Sequence, residues 1–136
     1  MASGTMEILL TRGTGFVLLV VGVIHVAPIT GLLGPRQLAS LYGVDVVGDP
    51  NLTLLLRHRA VLFGLLGASL MVMAFRPSLH TAALALALVS VASFLWLAAG
   101  EPGLSTPVRR VVWIDQLALG LLALAAAAQS GRWLLR

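Results

Sequence analysis

Four long apolar runs, each closed by proline, glycine or arginine, leave this chain almost no way to fold in water. Of its 136 residues, 59% are hydrophobic and only 10% carry a charge, with a mean hydropathy of +1.00. A soluble domain carries about 25% charged residues, so this chain cannot cover its surface with polar groups. The expected fold is all-α: an integral membrane, antiparallel four-helix bundle with short loops, in one domain covering 1–136. The spans are predicted at 13–33, 54–75, 81–99 and 107–128. The first is read as a helix of the mature protein rather than a signal peptide. It is long, contains glycines and His25, and lacks a small-x-small cleavage pattern before a soluble domain.

Local signals punctuate the runs. Arg12 precedes the first, Gly34-Pro35 ends it, and Pro28 should bend it by removing the partner of the Ile24 carbonyl. Pro35 can open a short interfacial helix over 36–42, with Leu38, Leu41 and Tyr42 on its apolar side. Asp49 and Pro50 read as the cap and first residue of the next helix. Thr106 and Pro107 read the same way for the last. Gly64 and Ala68 form a small-xxx-small pair, and Gly67 and Gly120 supply further close-contact positions. Trp113 and Trp133 suit the membrane interface.

The net charge of +4 comes from nine arginines and five acidic residues. The arginines are spread over the helix ends, so anionic lipid headgroups are the expected counter-charge and nucleic acid is not an expected partner. The absence of cysteine excludes disulfides, thiol redox chemistry and cysteine metal sites. Short loops alternate the spans, which puts both termini on one side. With Arg57 and Arg59 set aside as site residues, the arginine count places the termini in the cytoplasm of a cell inner membrane.

The same alternation collects chemistry at the opposite face. Arg57, His58 and Arg59 are followed by sixteen residues without a charge, Ala60 to Phe75. Those sixteen cover about 24 Å at 1.5 Å per residue, against a hydrocarbon core of about 30 Å. The run therefore sits at the headgroup boundary or slightly inside it. His25, Glu101, Arg109, Arg110, Asp115 and Gln116 share that end. Asp115 lies nine residues into the last helix, where an unpaired carboxylate is costly, and Arg59 or Arg57 is its expected ion-pair partner.

Two readings of this constellation stand side by side. A buried Arg–Asp pair can serve only to fix helix registry. Alternatively, Arg57, Arg59, Arg109 and Gln116 bind a polar or anionic head, while His58, His25 and Asp115 supply acid–base chemistry. His25, His58 and Asp115 could form a two-histidine, one-carboxylate set, but the spread of the three histidines makes metal the weaker reading. Neither a metal nor a cofactor is expected.

The segment LYGVDVVGDPNLTLLLRHRAVLFGLLG, with the later aspartate of the last span, resembles an uncharacterised family of small bacterial four-span membrane proteins. The resemblance runs over most of the chain and implies the four-helix fold without implying a mechanism. Similar sequences carry the label phosphopantetheine adenylyltransferase. That label implies an alternating strand–helix nucleotide-binding domain, a glycine-rich phosphate loop and a His-x-Gly-His motif, none of which is present.

The expected function is binding, or enzymatic conversion, of a small apolar or amphiphilic molecule of lipid or isoprenoid type. The alternatives are a small proton-coupled transporter, with Asp115 or Glu101 exchanging protons, and an accessory subunit of a membrane complex. Expected partners are membrane lipids, a hydrophobic small-molecule ligand and a second copy in a homodimer.

Overall fold

The computed structural model describes residues 2–134. Every regular element in it is helical. α1 spans Ala2–Val26 and continues as a 3-10 helix over Ala27–Leu33. α2 is Pro35–Tyr42, α3 is Pro50–Ala74, α4 is His80–Ala99 and α5 is Thr106–Leu134. Four segments are long and apolar enough to cross a membrane: Gly4–Leu33, Pro50–Ala74, Pro77–Ala99 and Thr106–Gly131. The protein is an all-α bundle of four such helices, a multi-pass membrane architecture, with α2 as a fifth, short helix.

The ends follow local chemistry, with three departures from the sequence reading. α1 begins well before Arg12, because a charge marks a membrane boundary and not the end of a helix. At Pro28 the chain changes to 3-10 winding, whose tighter turns absorb the missing N–H. α5 is capped one residue earlier than expected: Ser105 Oγ accepts from the Val108 N–H at 3.4 Å, so Ser105 takes the role assigned to Thr106. At α3 the expected cap is present, with the Asp49 carboxylate accepting from the Leu52 N–H at 2.9 Å. The side chains of Trp133 and Arg132, and all of Arg136, lie outside the described residues.

Glycine decides how closely α1 and α3 approach. A Cβ on Gly67 would stand 2.5 Å from the Gly22 carbonyl oxygen and 2.8 Å from the Val26 nitrogen. A Cβ on Gly22 would meet the Gly67 carbonyl oxygen at 2.9 Å. The two backbones therefore touch, which gives dispersion contacts where no hydrophobic force separates helix from lipid. Gly15 extends the seam, its Cβ position lying 2.7 Å from the Ala74 carbonyl oxygen. The expected Gly64–Ala68 pair is only half right. Gly64 is buried against Ile29, whereas Ala68 faces outward, and Gly120 has open space around it.

Around the bundle the order is α3, α1, α5, α4, so α1 separates α3 from α5. The apolar core is built from Leu18 and Val21 of α1, Leu70 and Ala74 of α3, Ala83 to Val91 of α4, and Ala118 to Ala125 of α5. This core fills the middle of the bundle and the half toward the α3–α4 turn. α2 closes the opposite face, packed on the 3-10 segment, α3 and α5. Leu38 and Tyr42 are buried beneath it with Val46. Gly31 makes room for it, since a Cβ there would meet Leu38 Cδ2 at 2.8 Å. The C-terminal end of α2 is pinned to α5: Ser105 Oγ donates to the Tyr42 carbonyl at 2.6 Å. Gly43, at φ 64°, turns the chain there and would meet Ser105 with any side chain.

Candidate functional site

Beneath α2, between that helix and the apolar core, lie three of the expected residues. His25 is 3% exposed and Asp115 is 7% exposed. Arg59 is half-buried, and it and His25 are the groups that act electrostatically on Asp115.

His25 is held on three sides. Its Nδ1 lies 2.9 Å from the Val21 carbonyl oxygen. A carbonyl only accepts, so Nδ1 carries a hydrogen and donates. Nε2 lies 3.1 Å from Ser90 Oγ on α4. In the neutral ring Nε2 must then accept from the serine hydroxyl. The imidazole stacks on Phe63 of α3, with centroids 5.5 Å apart and planes 13° from parallel. One α1 side chain thus touches α3 and α4 while lying within electrostatic reach of Asp115 on α5.

Arg59 does not form the expected ion pair. Among the described residues it makes neither a hydrogen bond nor a contact of 4.0 Å or less with a carboxylate. Its guanidinium instead lies over three rings: Phe63 at 4.9 Å, Tyr42 at 5.3 Å and Phe94 at 5.7 Å from their centroids. The physical reason is the helix order. α3 and α5 stand diagonally with α1 between them, and the nearest favourable surface for the cation is aromatic. Rings attract the cation but accept no conventional hydrogen bond, so the guanidinium N–H groups are without acceptors among the described residues. Asp115 likewise has no ion pair or hydrogen bond among the described residues.

The other expected residues lie elsewhere. Arg57 is exposed and reaches the Leu32 carbonyl at 3.5 Å, on the wall of an outer groove of about 460 Å³ that also touches Pro35, Val47 and Leu54. His58 is exposed on the outer side of α3, and Gln116 on the outer side of α5. Arg109 is exposed and donates to Thr106 Oγ1 at 3.2 Å. Successive helical residues turn by about 100°, so one member of the Arg57-His58-Arg59 run faces inward and two face out. No group of three metal-ligating side chains is present among the described residues.

Four contributors were not legible as such in the sequence: Tyr42, Phe63, Ser90 and Phe94. Phe63 follows Arg59 by four residues, a spacing that puts both on one helical face, and Phe94 follows Ser90 in the same way. Those spacings were available signals. The juxtaposition of Ser90 with His25, 65 residues apart, was not. Tyr42, the one tyrosine of the chain, is 8% exposed, and its hydroxyl has no hydrogen-bond partner among the described residues.

The far half of the bundle also holds buried polar groups, and those described below join one helix to another or close a helix end. His80 is 1% exposed, and its Nε2 donates to the Ala74 carbonyl at 3.0 Å, closing the end of α3. Gln129 Nε2 donates to Thr81 Oγ1 at 3.0 Å. Between these groups and His25 lies the packed apolar core.

No family model, curated protein or solved structure matches this chain.

Proposed function

We propose that this protein binds a small amphiphilic, lipid- or isoprenoid-like molecule in the polar half of its bundle, with acid–base chemistry available at His25. The observation that carries the reading is Asp115: buried, and without an ion pair or hydrogen bond among the described residues. A carboxyl group kept only to fix helix registry would hold a partner on a neighbouring helix, since without one it fixes no register. A carboxylate kept for a ligand awaits that ligand's donor. His25 supports the chemical half of the reading. Its Nδ1 donates to a carbonyl, so its Nε2 is the edge that can take up a proton, and Ser90 is the hydroxyl already placed against it.

The packed apolar core supports binding over transport. Proton-coupled cargo movement calls for a carboxylate reached alternately from both faces, and eleven buried apolar residues separate Asp115 from the far face. The expectation of an inner-membrane location with cytoplasmic termini belongs to the same proposal. So does kinship with the small four-span family that the RHRAVLFG segment resembles.

Mass spectrometry of small molecules released from the purified protein tests the reading. The wild type should retain an amphiphile that Asp115→Asn, with the same volume and no charge, retains at least tenfold less. Equal retention by both, or a variant that merely loses stability, would return Asp115 to a packing role.

A further inference from the structure

The head of the ligand has a chemistry that the unsatisfied groups define. On the donor side, the Arg59 guanidinium lies over the rings of Tyr42, Phe63 and Phe94 and has no hydrogen-bond acceptor among the described residues. Tyr42, whose ring is one wall of that cage, carries a buried hydroxyl with no partner among the described residues. A buried hydroxyl without a partner is destabilising, whereas phenylalanine would give the same ring without that penalty. Arginine is the residue suited to planar, two-point recognition of carboxylate and phosphate. On the acceptor side stands Asp115, within electrostatic reach of Arg59 and His25.

We infer that the site takes an oxyanion, carboxylate or phosphate, bound by Arg59 and the Tyr42 hydroxyl, on a molecule that carries a hydrogen-bond donor (hydroxyl or amino) close to that oxyanion for Asp115. The inference rests on the amphiphile reading and specifies its head. Charge balance requires the second feature. An anion alone would bring a second negative charge beside Asp115, and an adjacent donor turns that repulsion into a hydrogen bond. The rings fix the guanidinium in advance, so little side-chain freedom is lost when the oxyanion arrives. α2 is part of the site, because its last residue is Tyr42 and Ser105 holds that end against α5.

Binding to the full chain in phosphatidylcholine nanodiscs tests this with four probes: a long-chain fatty acid, its 2-hydroxy derivative, the alcohol of equal length, and inorganic phosphate. The wild type should bind the 2-hydroxy acid best, the plain acid next, and the alcohol at least tenfold more weakly. Tyr42→Phe keeps the cage and should weaken both acids about tenfold, the loss of one hydrogen bond to a charged group, while melting at or above the wild-type temperature. Arg59→Gln should remove the preference for acid over alcohol. Asp115→Asn should remove the preference for the 2-hydroxy acid over the plain acid.

Equal affinity for acid and alcohol in the wild type, or unchanged acid binding by Tyr42→Phe, overturns the oxyanion assignment and leaves amphiphile binding standing. An unchanged 2-hydroxy preference in Asp115→Asn overturns the donor assignment. Inorganic phosphate binding as tightly as the acids would keep the oxyanion site and refute the amphiphile, since the apolar tail would contribute nothing. Failure of all four probes to bind refutes both.

Discussion

Gly67→Ala is the most demanding single test of the packing that creates the site. The new methyl would lie 2.5 Å from the Gly22 carbonyl oxygen, 2.6 Å from Val26 Cγ2 and 2.8 Å from the Val26 nitrogen. Two of those atoms are helix backbone, which cannot rotate away. Restoring ordinary contact requires α1 and α3 to separate by roughly 1 Å in a close-packed interior. Overpacking of this kind costs about 1–3 kcal/mol, and rigid backbone neighbours place this position in the upper half of that range. Replacing a mid-helix glycine by alanine returns about 1 kcal/mol through helix propensity. The net destabilisation should be about 1–2 kcal/mol.

Gly120→Ala supplies the control, because nothing lies within 4 Å of its Cβ position. It carries the propensity gain alone, so the difference between the two variants isolates the clash at about 2–3 kcal/mol. Equilibrium unfolding in mixed dodecylmaltoside and sodium dodecyl sulfate micelles, followed by tryptophan fluorescence, measures that difference. Gly67→Ala should also weaken ligand binding. Phe63 lies one turn away on α3, and moving the helix outward parts its ring from His25. A Gly67→Ala protein as stable as Gly120→Ala would refute the backbone-contact argument.

Other expectations follow from single contacts. Ser105→Ala removes both the cap of α5 and the bond to the Tyr42 carbonyl. It should destabilise by about 1–2 kcal/mol and speed hydrogen exchange over residues 35–48, with exchange in α4 unchanged. Ser90→Ala releases Nε2 of His25, and the imidazole ¹⁵N shifts of selectively labelled protein should move while His80 stays still. An unmoved His25 signal would remove Ser90 from the site. Arg57→Gln touches an exposed outer groove and should leave amphiphile affinity within about twofold, since exposed substitutions of this kind change energies by about 0.5 kcal/mol or less. A larger loss would bring the groove into the site.

How much of this was legible in the residues can be read position by position. The helix starts at Pro35 and Pro50, the Asp49 cap and the helix ends at Tyr42 and Ala99 rest on local chemistry, and the sequence shows them. Helix length and alternating topology put His25, Arg59 and Asp115 at one end of the bundle. Which partners they meet was beyond its reach. Arg59 and Asp115 lie at similar depth on antiparallel-compatible helices, and charge alone pairs them. The order of helices around the bundle sets them on a diagonal, with α1 between, and gives the cation to Tyr42, Phe63 and Phe94.

Composition and periodicity by themselves therefore determined that four helices are long and apolar enough to cross a membrane and that His25, Arg59 and Asp115 share one end of the bundle, because both follow from solvation and from the alternation of short-linked spans. Only the tertiary structure decided that Arg59 turns inward while Arg57 and His58 turn out, that Ser90 meets His25, and that Asp115 is buried without an ion pair or hydrogen bond among the described residues. Those outcomes depend on rotation about each helix axis, and here rotation is set by where glycine lets two backbones touch, at Gly22 and Gly67. Hydropathy is nearly blind to that angle, since lipid and a neighbouring helix are equally apolar to a leucine.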